Sequence, residues 1–272
     1  MNKKSVFLIS DGTGITVESF ANSVLSQFPD FEFNYYAFPY TDSLEKIHQI
    51  CNKITANYQI NNDKPLVFIT MVQSDMIKPL CSAPGHLFDF LNPIIDKLEK
   101  VLNSTSLDEA GRAHGFLSSQ RYDKRIAAIN YALTCDDGLG NQNYELADII
   151  LIGVSRCGKT PSCLYMALQF GLFAANYPLT EETIDKQHLP DTLKMYKQKL
   201  FGLTITPQRL HHIRSERRPN SNYSSLKQCQ HEITAVESLY AQQNISFIDS
   251  TYYSIEEIAT RIMTQQHLER RI

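Results

Sequence analysis

Residues 148–160 decide the fold of the second half of this chain and read Asp-Ile-Ile-Leu-Ile-Gly-Val-Ser-Arg-Cys-Gly-Lys-Thr. The apolar run predicts a buried strand, and it leads directly into Gly-x-x-x-x-Gly-Lys-Thr, the spacing of a phosphate-binding P-loop. In such a loop the glycines let the backbone curl round phosphate oxygens, the lysine adds positive charge, and the threonine hydroxyl can reach Mg²⁺. The sequence therefore predicts a nucleotide site formed by Gly153, Val154, Ser155, Arg156, Cys157, Gly158, Lys159 and Thr160.

The residues on either side of this loop support the prediction. Residues 149–152 are apolar and β-rich, and residues 160–175 are apolar almost all round, as expected of a helix buried against a sheet. Pro161 stands in the first helical turn, where its missing N–H is tolerated. An ordinary strand, glycine turn and helix could give a similar pattern, but the motif together with its flanks favours the nucleotide site.

Composition limits the classes of protein that need to be considered. The chain has 272 residues, a formal net charge of -3 and a sequence pI near 6.2. This length suits one large or two modest domains, and the charge argues against nucleic-acid binding through bulk positive charge. No run approaches the ~20 apolar residues of a membrane span, and the N-terminal residues lack a secretory apolar region. Because no apolar run is long enough to span a membrane, we expect no membrane contact. The six cysteines show no zinc-like spacing, so we expect reduced thiols and a cytoplasmic location.

Strand and helix patterns alternate through the first hundred residues. We predict strands at residues 5–9, 31–38 and 66–71, a helix after each of the first two, and a later helix that begins at Asn92-Pro93. Such alternation indicates an α/β unit with a doubly wound, mostly parallel sheet. A polar, glycine-containing stretch at residues 103–121 predicts a linker. We therefore place an N-terminal α/β domain at residues 1–104 and a P-loop kinase-like α/β catalytic domain at residues 105–272.

A second candidate ligand loop, Asp11-Gly12-Thr13-Gly14, follows the first predicted strand. The first βα turn of a doubly wound sheet often meets a ligand. A tight turn in which glycine supplies a positive φ accounts for the same residues and is the favoured interpretation.

Acidic residues near the P-loop offer candidates for metal binding and proton transfer. Asp136 and Asp137 lie just upstream of the P-loop strand, in Cys-Asp-Asp-Gly, and suit either Mg²⁺ binding or general-base catalysis. A helix-terminating turn rich in Asp and Gly explains this sequence equally well. Asp249 follows a predicted strand at residues 245–248, and with Thr160 it is our candidate Mg²⁺ ligand.

A basic segment follows the predicted strand at residues 200–205 and a helix that opens at Pro207. It contains Arg209, His211, His212, Arg214, Arg217 and Arg218. Guanidinium groups bind phosphoryl oxygens in a bidentate manner, so the segment is a candidate phosphate clamp. From these residues alone, a solvated helical face is slightly favoured.

Two classes of nucleotide-dependent protein are excluded by missing motifs. The chain has no Asn-Lys-x-Asp for guanine recognition, so it is not expected to be a GTPase. It also has no His-Arg-Asp or Val-Ala-Ile-Lys element, so it is not expected to be a eukaryotic-type protein kinase. A small-molecule kinase of the shikimate or adenylate type and a non-enzymatic ADP sensor stay open.

Several separate motifs resemble the regulatory proteins of pyruvate, phosphate dikinase and phosphoenolpyruvate synthase. They include Leu-Phe-Gly-Leu-Thr-Ile at residues 200–205 and Ile-Arg-Ser-Glu-Arg-Arg-Pro at residues 213–219. Residues 10–14, 153–167, 174–179, 249–251 and 254–259 share the resemblance, which therefore spans the whole chain. The residues around the P-loop and the arginines look closer to the phosphoenolpyruvate synthase branch, with the dikinase branch as the alternative.

The resemblance implies a bifunctional enzyme. As an ADP-dependent serine/threonine kinase it would inactivate phosphoenolpyruvate synthase by phosphorylating a threonine, and as a phosphorylase it would use inorganic phosphate to remove that group as pyrophosphate. ADP would be the substrate, with Mg²⁺ expected beside it, and Lys159, Asp136, Asp137, Arg217 and Arg218 would be catalytic. Many relatives carry histidine where this chain has Cys135, so we expect the two aspartates to carry the function. The oligomeric state is left open, with a homodimer as one option.

Overall fold

The computed structural model describes residues 2–109 and 119–272 of the chain. The chain divides into two compact units, Met1–Phe116 and Leu117–Ile272. Each unit contains a four-stranded sheet whose strands all pair in parallel, which confirms the α/β fold class. Residues 110–118 of the predicted linker at residues 103–121 lie outside the described residues, and residues 119–121 belong to a helix. That linker and the domain boundary at residues 104 and 105 stay predictions.

The N-terminal unit alternates strands and helices as predicted, and it also contains a helix and a fourth strand, Ser74–Cys81 and His86–Asp89, that were not predicted. Its elements are β1 (Asn2–Ser10), α1 (Ile15–Leu25), β2 (Phe31–Phe38), α2 (Leu44–Asn61), β3 (Leu66–Thr70), α3 (Ser74–Cys81), β4 (His86–Asp89) and α4 (Asn92–Leu102). The strand order is β2-β1-β3-β4. Because successive strand residues point to opposite faces, α1 packs on one face of the sheet while α2 and α3 pack on the other.

The C-terminal unit repeats this strand order around the P-loop. Its elements are α5 (Ser119–Thr134), β5 (Ile149–Gly153), α6 (Lys159–Phe170), β6 (Ala174–Pro178), α7 (Glu181–Lys186), α8 (Asp191–Lys194), β7 (Leu200–Thr204), α9 (Pro207–Arg217), α10 (Leu226–Gln243), β8 (Phe247–Asp249) and α11 (Ile255–Gln265). The order β6-β5-β7-β8 places the P-loop strand β5 inside the sheet, where all five of its residues are buried. The carboxyl ends of these parallel strands share one edge, which is where ligands bind in such sheets.

Several boundaries differ from the prediction. The helix after the P-loop ends at Phe170 rather than continuing to residue 175, because Gly171 turns the chain at φ 70° and Ala174 already begins β6. The apolar residues assigned to the end of one helix therefore belong partly to the neighbouring strand. The strand predicted at residues 245–248 is observed at Phe247–Asp249. In the described ranges, no helix has both the length and the apolar character needed to cross a bilayer.

Candidate active site

The P-loop curls between β5 and α6. Gly158 has φ 96°, and Arg156 is also left-handed, with φ 77°. Left-handed residues in such a loop form a concave backbone nest that suits anions. A Cβ on Gly153 would lie 2.5 Å from the carbonyl oxygen of Leu203, whereas a Cβ on Gly158 would meet nothing within 4 Å. Packing thus requires the first glycine, and backbone conformation favours the second.

The N-terminus of α6 supplies a second feature that suits anions. The first N–H groups of any α-helix have no partner inside the helix, and in α6, which begins at Lys159, no side chain caps them. Such amide groups bind phosphate readily. Lys159 is only 5% exposed, and its Nζ donates to the carbonyl oxygen of Val154 at 2.9 Å. The ammonium group therefore lies against the loop that the motif predicts as the phosphate cradle.

Asp136 is hydrogen-bonded to Thr160, the threonine of the P-loop. Its Oδ1 accepts a hydrogen bond from Thr160 Oγ1 at 2.9 Å and another from Asn176 Nδ2. Asn176 lies on β6, is 1% exposed, and also donates to Thr160 Oγ1 at 3.2 Å. Its Oδ1 accepts from the N–H of Asp137 at 3.1 Å. One buried asparagine thus links the acidic pair to the start of α6.

Asp137 is placed differently from its neighbour. It has φ 49°, is exposed, and lines the cavity above the P-loop. Its carboxylate has no hydrogen-bond or ion-pair partner among the residues that the structure describes. The two aspartates, for which the sequence left metal binding and proton transfer open, therefore have distinct surroundings: one is engaged with Thr160 and the other is free.

The arginines of the basic segment divide into two groups. Arg217 and Arg218, at the end of α9, are exposed and line the cavity. Arg214 is instead buried and forms a bidentate ion pair with Glu232 of α10, so it is not available to a ligand. The predicted phosphate clamp therefore narrows to Arg217 and Arg218.

One open cavity of about 540 Å³ collects most of the predicted site. It is lined by Asp137, Ser155, Arg156, Gly158, Lys159, Thr160, Pro161, Ile213, Arg217, Arg218 and Tyr223. Gly153, Val154 and Cys157 are buried and are not part of this lining, and Asp136 is connected to it through Thr160. Carboxylate, hydroxyl, ammonium and guanidinium groups thus converge on a helix N-terminus.

Asp249 does not line this cavity. It ends the edge strand β8, is exposed, and accepts a hydrogen bond from the N–H of Thr251 at 2.8 Å. The carboxylate within hydrogen-bond distance of Thr160 belongs to Asp136, so the pairing of Asp249 with Thr160 at a Mg²⁺ ion stays a prediction without geometric support. Within residues 2–109 and 119–272, no three His, Cys, Asp or Glu side chains are grouped to hold a metal.

The cysteines near the site are packing residues. Cys135 is buried in the core with its Sγ 3.5 Å from the carbonyl oxygen of Gly140. Cys157 belongs to the loop, and its side chain is buried in the core. Burial raises the pKa of both thiols. Position 135 therefore does not line the cavity.

The loop after β1 is a tight turn held by its own contacts. Gly14 has φ 80°, Asp11 Oδ2 accepts from the N–H of Val72 at 3.2 Å, and the N–H of Gly12 donates to Ser10 Oγ at 3.1 Å. These contacts account for the residues as a turn, and a ligand at this loop stays a prediction.

Two site residues were not assigned a role from the sequence. Asn176 could have been noticed as an amide within the otherwise apolar start of β6, beside the P-loop strand. Tyr223 lines the cavity, and its hydroxyl lies 3.1 Å from Ser155 Oγ. No local pattern distinguishes this tyrosine from an ordinary loop residue.

The chain is similar to known proteins over nearly its whole length. The family model for kinase/pyrophosphorylase proteins matches residues 6–263. A protein of Legionella pneumophila (strain Lens) is 49% identical over 270 residues, which cover 99% of this chain and 100% of that protein. Relatives from Hahella chejuensis (strain KCTC 2396) and Marinobacter nauticus (strain ATCC 700491 / DSM 11845 / VT8) are 47% and 46% identical, over 99% and 98% of this chain and 99% of each relative. All three carry the provisional name phosphoenolpyruvate synthase regulatory protein. The chain therefore belongs to the kinase/pyrophosphorylase family of phosphoenolpyruvate synthase regulatory proteins.

Proposed function

We propose that this protein transfers the β-phosphate of ADP to a threonine of phosphoenolpyruvate synthase, and that it removes the same group with inorganic phosphate to give pyrophosphate. Family membership supports kinase and pyrophosphorylase chemistry, and the names of the relatives support the target. The observation that carries the proposal is the convergence of Asp137, Arg217 and Arg218 on the P-loop cavity. A single anion cradle suits both reactions, since ADP, phosphate and pyrophosphate all present phosphoryl oxygens.

Binding would be the task of the loop backbone and of Lys159. The amide groups of the nest and of the α6 N-terminus would hold the phosphates, and the Lys159 ammonium would exchange its bond to the Val154 carbonyl for phosphate oxygen. The hydroxyl of Thr160 and the carboxylate of Asp136 are the hard oxygen ligands that Mg²⁺ prefers, and they already lie together. When bound, Mg²⁺ would neutralise charge on the phosphate oxygens.

Proton transfer would be the task of Asp137. In the forward reaction the threonine oxygen attacks the β-phosphorus, the bond from that phosphorus to the bridging oxygen breaks, AMP leaves, and the hydroxyl proton passes to Asp137. In the other reaction an oxygen of inorganic phosphate attacks the phosphothreonine phosphorus. The bond from that phosphorus to the threonine oxygen breaks, the threonine oxygen takes the proton that the attacking phosphate has given to Asp137, and pyrophosphate leaves. An unbonded carboxylate facing the cavity is suited to both directions.

Charge on the transferring group would be met by Arg217 and Arg218. The two arginines are consecutive at the end of α9, and their guanidinium groups can donate paired hydrogen bonds to the equatorial oxygens of a phosphoryl group. Because these side chains are exposed, they can approach the phosphoryl group after the protein substrate has bound.

The test uses purified phosphoenolpyruvate synthase as the protein substrate. With ADP, we expect equal amounts of AMP and phosphothreonine, and loss of synthase activity. Phosphate added to the purified phosphorylated synthase should give pyrophosphate and restore activity. Pyruvate, phosphate dikinase serves as the matched alternative substrate. ADP binding without AMP formation on either enzyme would contradict the proposal and indicate a nucleotide sensor, and AMP formed only with the dikinase would reassign the target.

A further inference from the structure

A buried ion pair lies directly behind the cavity. Arg214 on α9 is 1% exposed and Glu232 on α10 is 5% exposed. Their bonds are bidentate, with Nη1 to Oε1 at 3.0 Å and Nη2 to Oε2 at 2.7 Å. Burial alone would lower the pKa of Arg214, but the hydrogen bonds and charge of Glu232 raise it above its ordinary value. A pair buried this deeply is seldom more stabilising than packed apolar residues, so its presence calls for another explanation.

The two remaining terminal N–H groups of this guanidinium reach the edge of the active site. Nη2 donates to the carbonyl oxygen of Ser155 at 3.2 Å, and Nη1 donates to that of Tyr223 at 3.0 Å. The Tyr223 ring stacks on the guanidinium at 4.1 Å, while its hydroxyl lies 3.1 Å from Ser155 Oγ. All four terminal N–H groups of Arg214 are thus used within the protein. One side chain therefore joins the P-loop to the segment that carries Tyr223.

The anchored carbonyl controls the orientation of the loop. Ser155 C=O and Arg156 N–H belong to one planar peptide group and point in opposite directions. A hydrogen bond that holds the carbonyl towards Arg214 therefore fixes the direction of the Arg156 amide. Arg156 is also left-handed at φ 77°, a conformation that a non-glycine residue keeps only when its surroundings hold it.

We infer that Arg214 and Glu232 are positioning residues that hold the P-loop in its phosphate-binding conformation. Glu232 orients the guanidinium, and the guanidinium orients the peptide between Ser155 and Arg156. Gln228 completes the arrangement, since its Nε2 donates to Glu232 Oε1 at 3.1 Å and to Glu181 Oε1 at 2.9 Å. The inference rests on the proposed function for its ligands, ADP and pyrophosphate.

The test compares Arg214→Lys and Glu232→Gln with the wild type. Both replacements approximately keep the size of the side chain. Arg214→Lys removes the bidentate guanidinium group, and Glu232→Gln removes the negative charge that pairs with it. We expect the dissociation constants of ADP and of pyrophosphate, measured by calorimetry, to rise together by about tenfold. Amide hydrogen exchange should accelerate in residues 153–160 and stay unchanged in strand β6. Arg271→Lys is the matched control, because Arg271 pairs with Asp148 near the surface and does not line the cavity.

A milder variant keeps the inference testable if the first two do not fold. Gln228→Met removes one hydrogen bond from Glu232 without touching the cavity lining, and should raise both dissociation constants two- to threefold. Folded variants that bind both ligands as the wild type does, with unchanged exchange in residues 153–160, would overturn the inference. So would equal acceleration of exchange in the loop and in β6, since that indicates general destabilisation. A wild-type protein that binds neither ligand would refute the proposed function instead, and exchange in the loop would then decide the positioning role alone.

Discussion

Replacement of Asp137 by Asn separates catalysis from folding more cleanly than any other change in the site. The Asp137 carboxylate is exposed and has no partner within the described ranges, so the amide can take its place without breaking a hydrogen bond. We expect the free energy of unfolding to change by less than about 0.5 kcal/mol. Loss of a general base should lower turnover by about a hundredfold or more, which corresponds to about 2.7 kcal/mol of transition-state free energy.

Asp136→Asn is the matched comparison, because the same chemical change falls one residue earlier. Asp136 Oδ1 accepts from both Thr160 and Asn176, and a neutral amide oxygen accepts more weakly than a carboxylate. At about 1 kcal/mol lost for each of the two bonds, we expect destabilisation of about 2 kcal/mol. This variant should also need more Mg²⁺ for activity, since Thr160 loses its charged partner.

The assay measures AMP release with phosphoenolpyruvate synthase, ADP affinity by calorimetry, and thermal unfolding for both variants. Asp137→Asn should bind ADP normally and turn over slowly, with an unchanged melting temperature. Near-normal turnover in this variant would remove the base assignment. A catalytic defect of a hundredfold in Asp136→Asn alone, with stability intact, would exchange the two roles.

Three further results are expected. Lys159→Met, which keeps a buried stem but removes the ammonium, should abolish both activities in a folded protein, and AMP formation by that variant would contradict the P-loop assignment. Arg217→Lys keeps charge but loses the bidentate fork, so turnover or use of phosphate should weaken while ADP affinity, measured by calorimetry, largely survives. ADP should inhibit phosphate-dependent removal of the threonine phosphate, and pyrophosphate should inhibit the kinase; absence of both inhibitions at saturating ligand would indicate two separate sites.

Local patterns in the sequence were sufficient for the P-loop and its flanks. The strand, the glycine spacing and the following helix are consecutive in the sequence. The structure of residues 149–170 could therefore be predicted from hydrophobic periodicity and from the positions of the glycines. The capping box of Ser254 and Glu257 at the start of α11 is equally local, because both residues lie within one helical turn. Motifs spread along the chain identified the family, which the comparisons confirm.

Tertiary packing decides which arginine of α9 forms an ion pair and which one lines the cavity. Arg214 and Arg217 are three residues apart on one strongly polar helix, and no apolar stripe shows which of them faces inward. Packing of α9 against Glu232 on α10 makes Arg214 a buried positioning residue, whereas Arg217 is exposed and lines the cavity. A sequence pattern shows both only as basic residues, because the difference arises from Glu232, which lies 18 residues from Arg214 along the chain.

Strand order decided the remaining assignments. Asp249 ends a strand, as a metal-binding aspartate could, but the order β6-β5-β7-β8 puts that strand at the edge of the sheet, with β7 between it and the P-loop strand. The same order puts β6 directly beside β5, so Asn176 can reach Asp136 and Thr160 at once. The sequence by itself determined the strand, glycine loop and helix at residues 149–170, the α/β class and the family, since these depend on neighbours along the chain. Only the tertiary structure selected Asp136, Asn176 and Arg214, because their partners come together through the pairing of strands and the packing of helices.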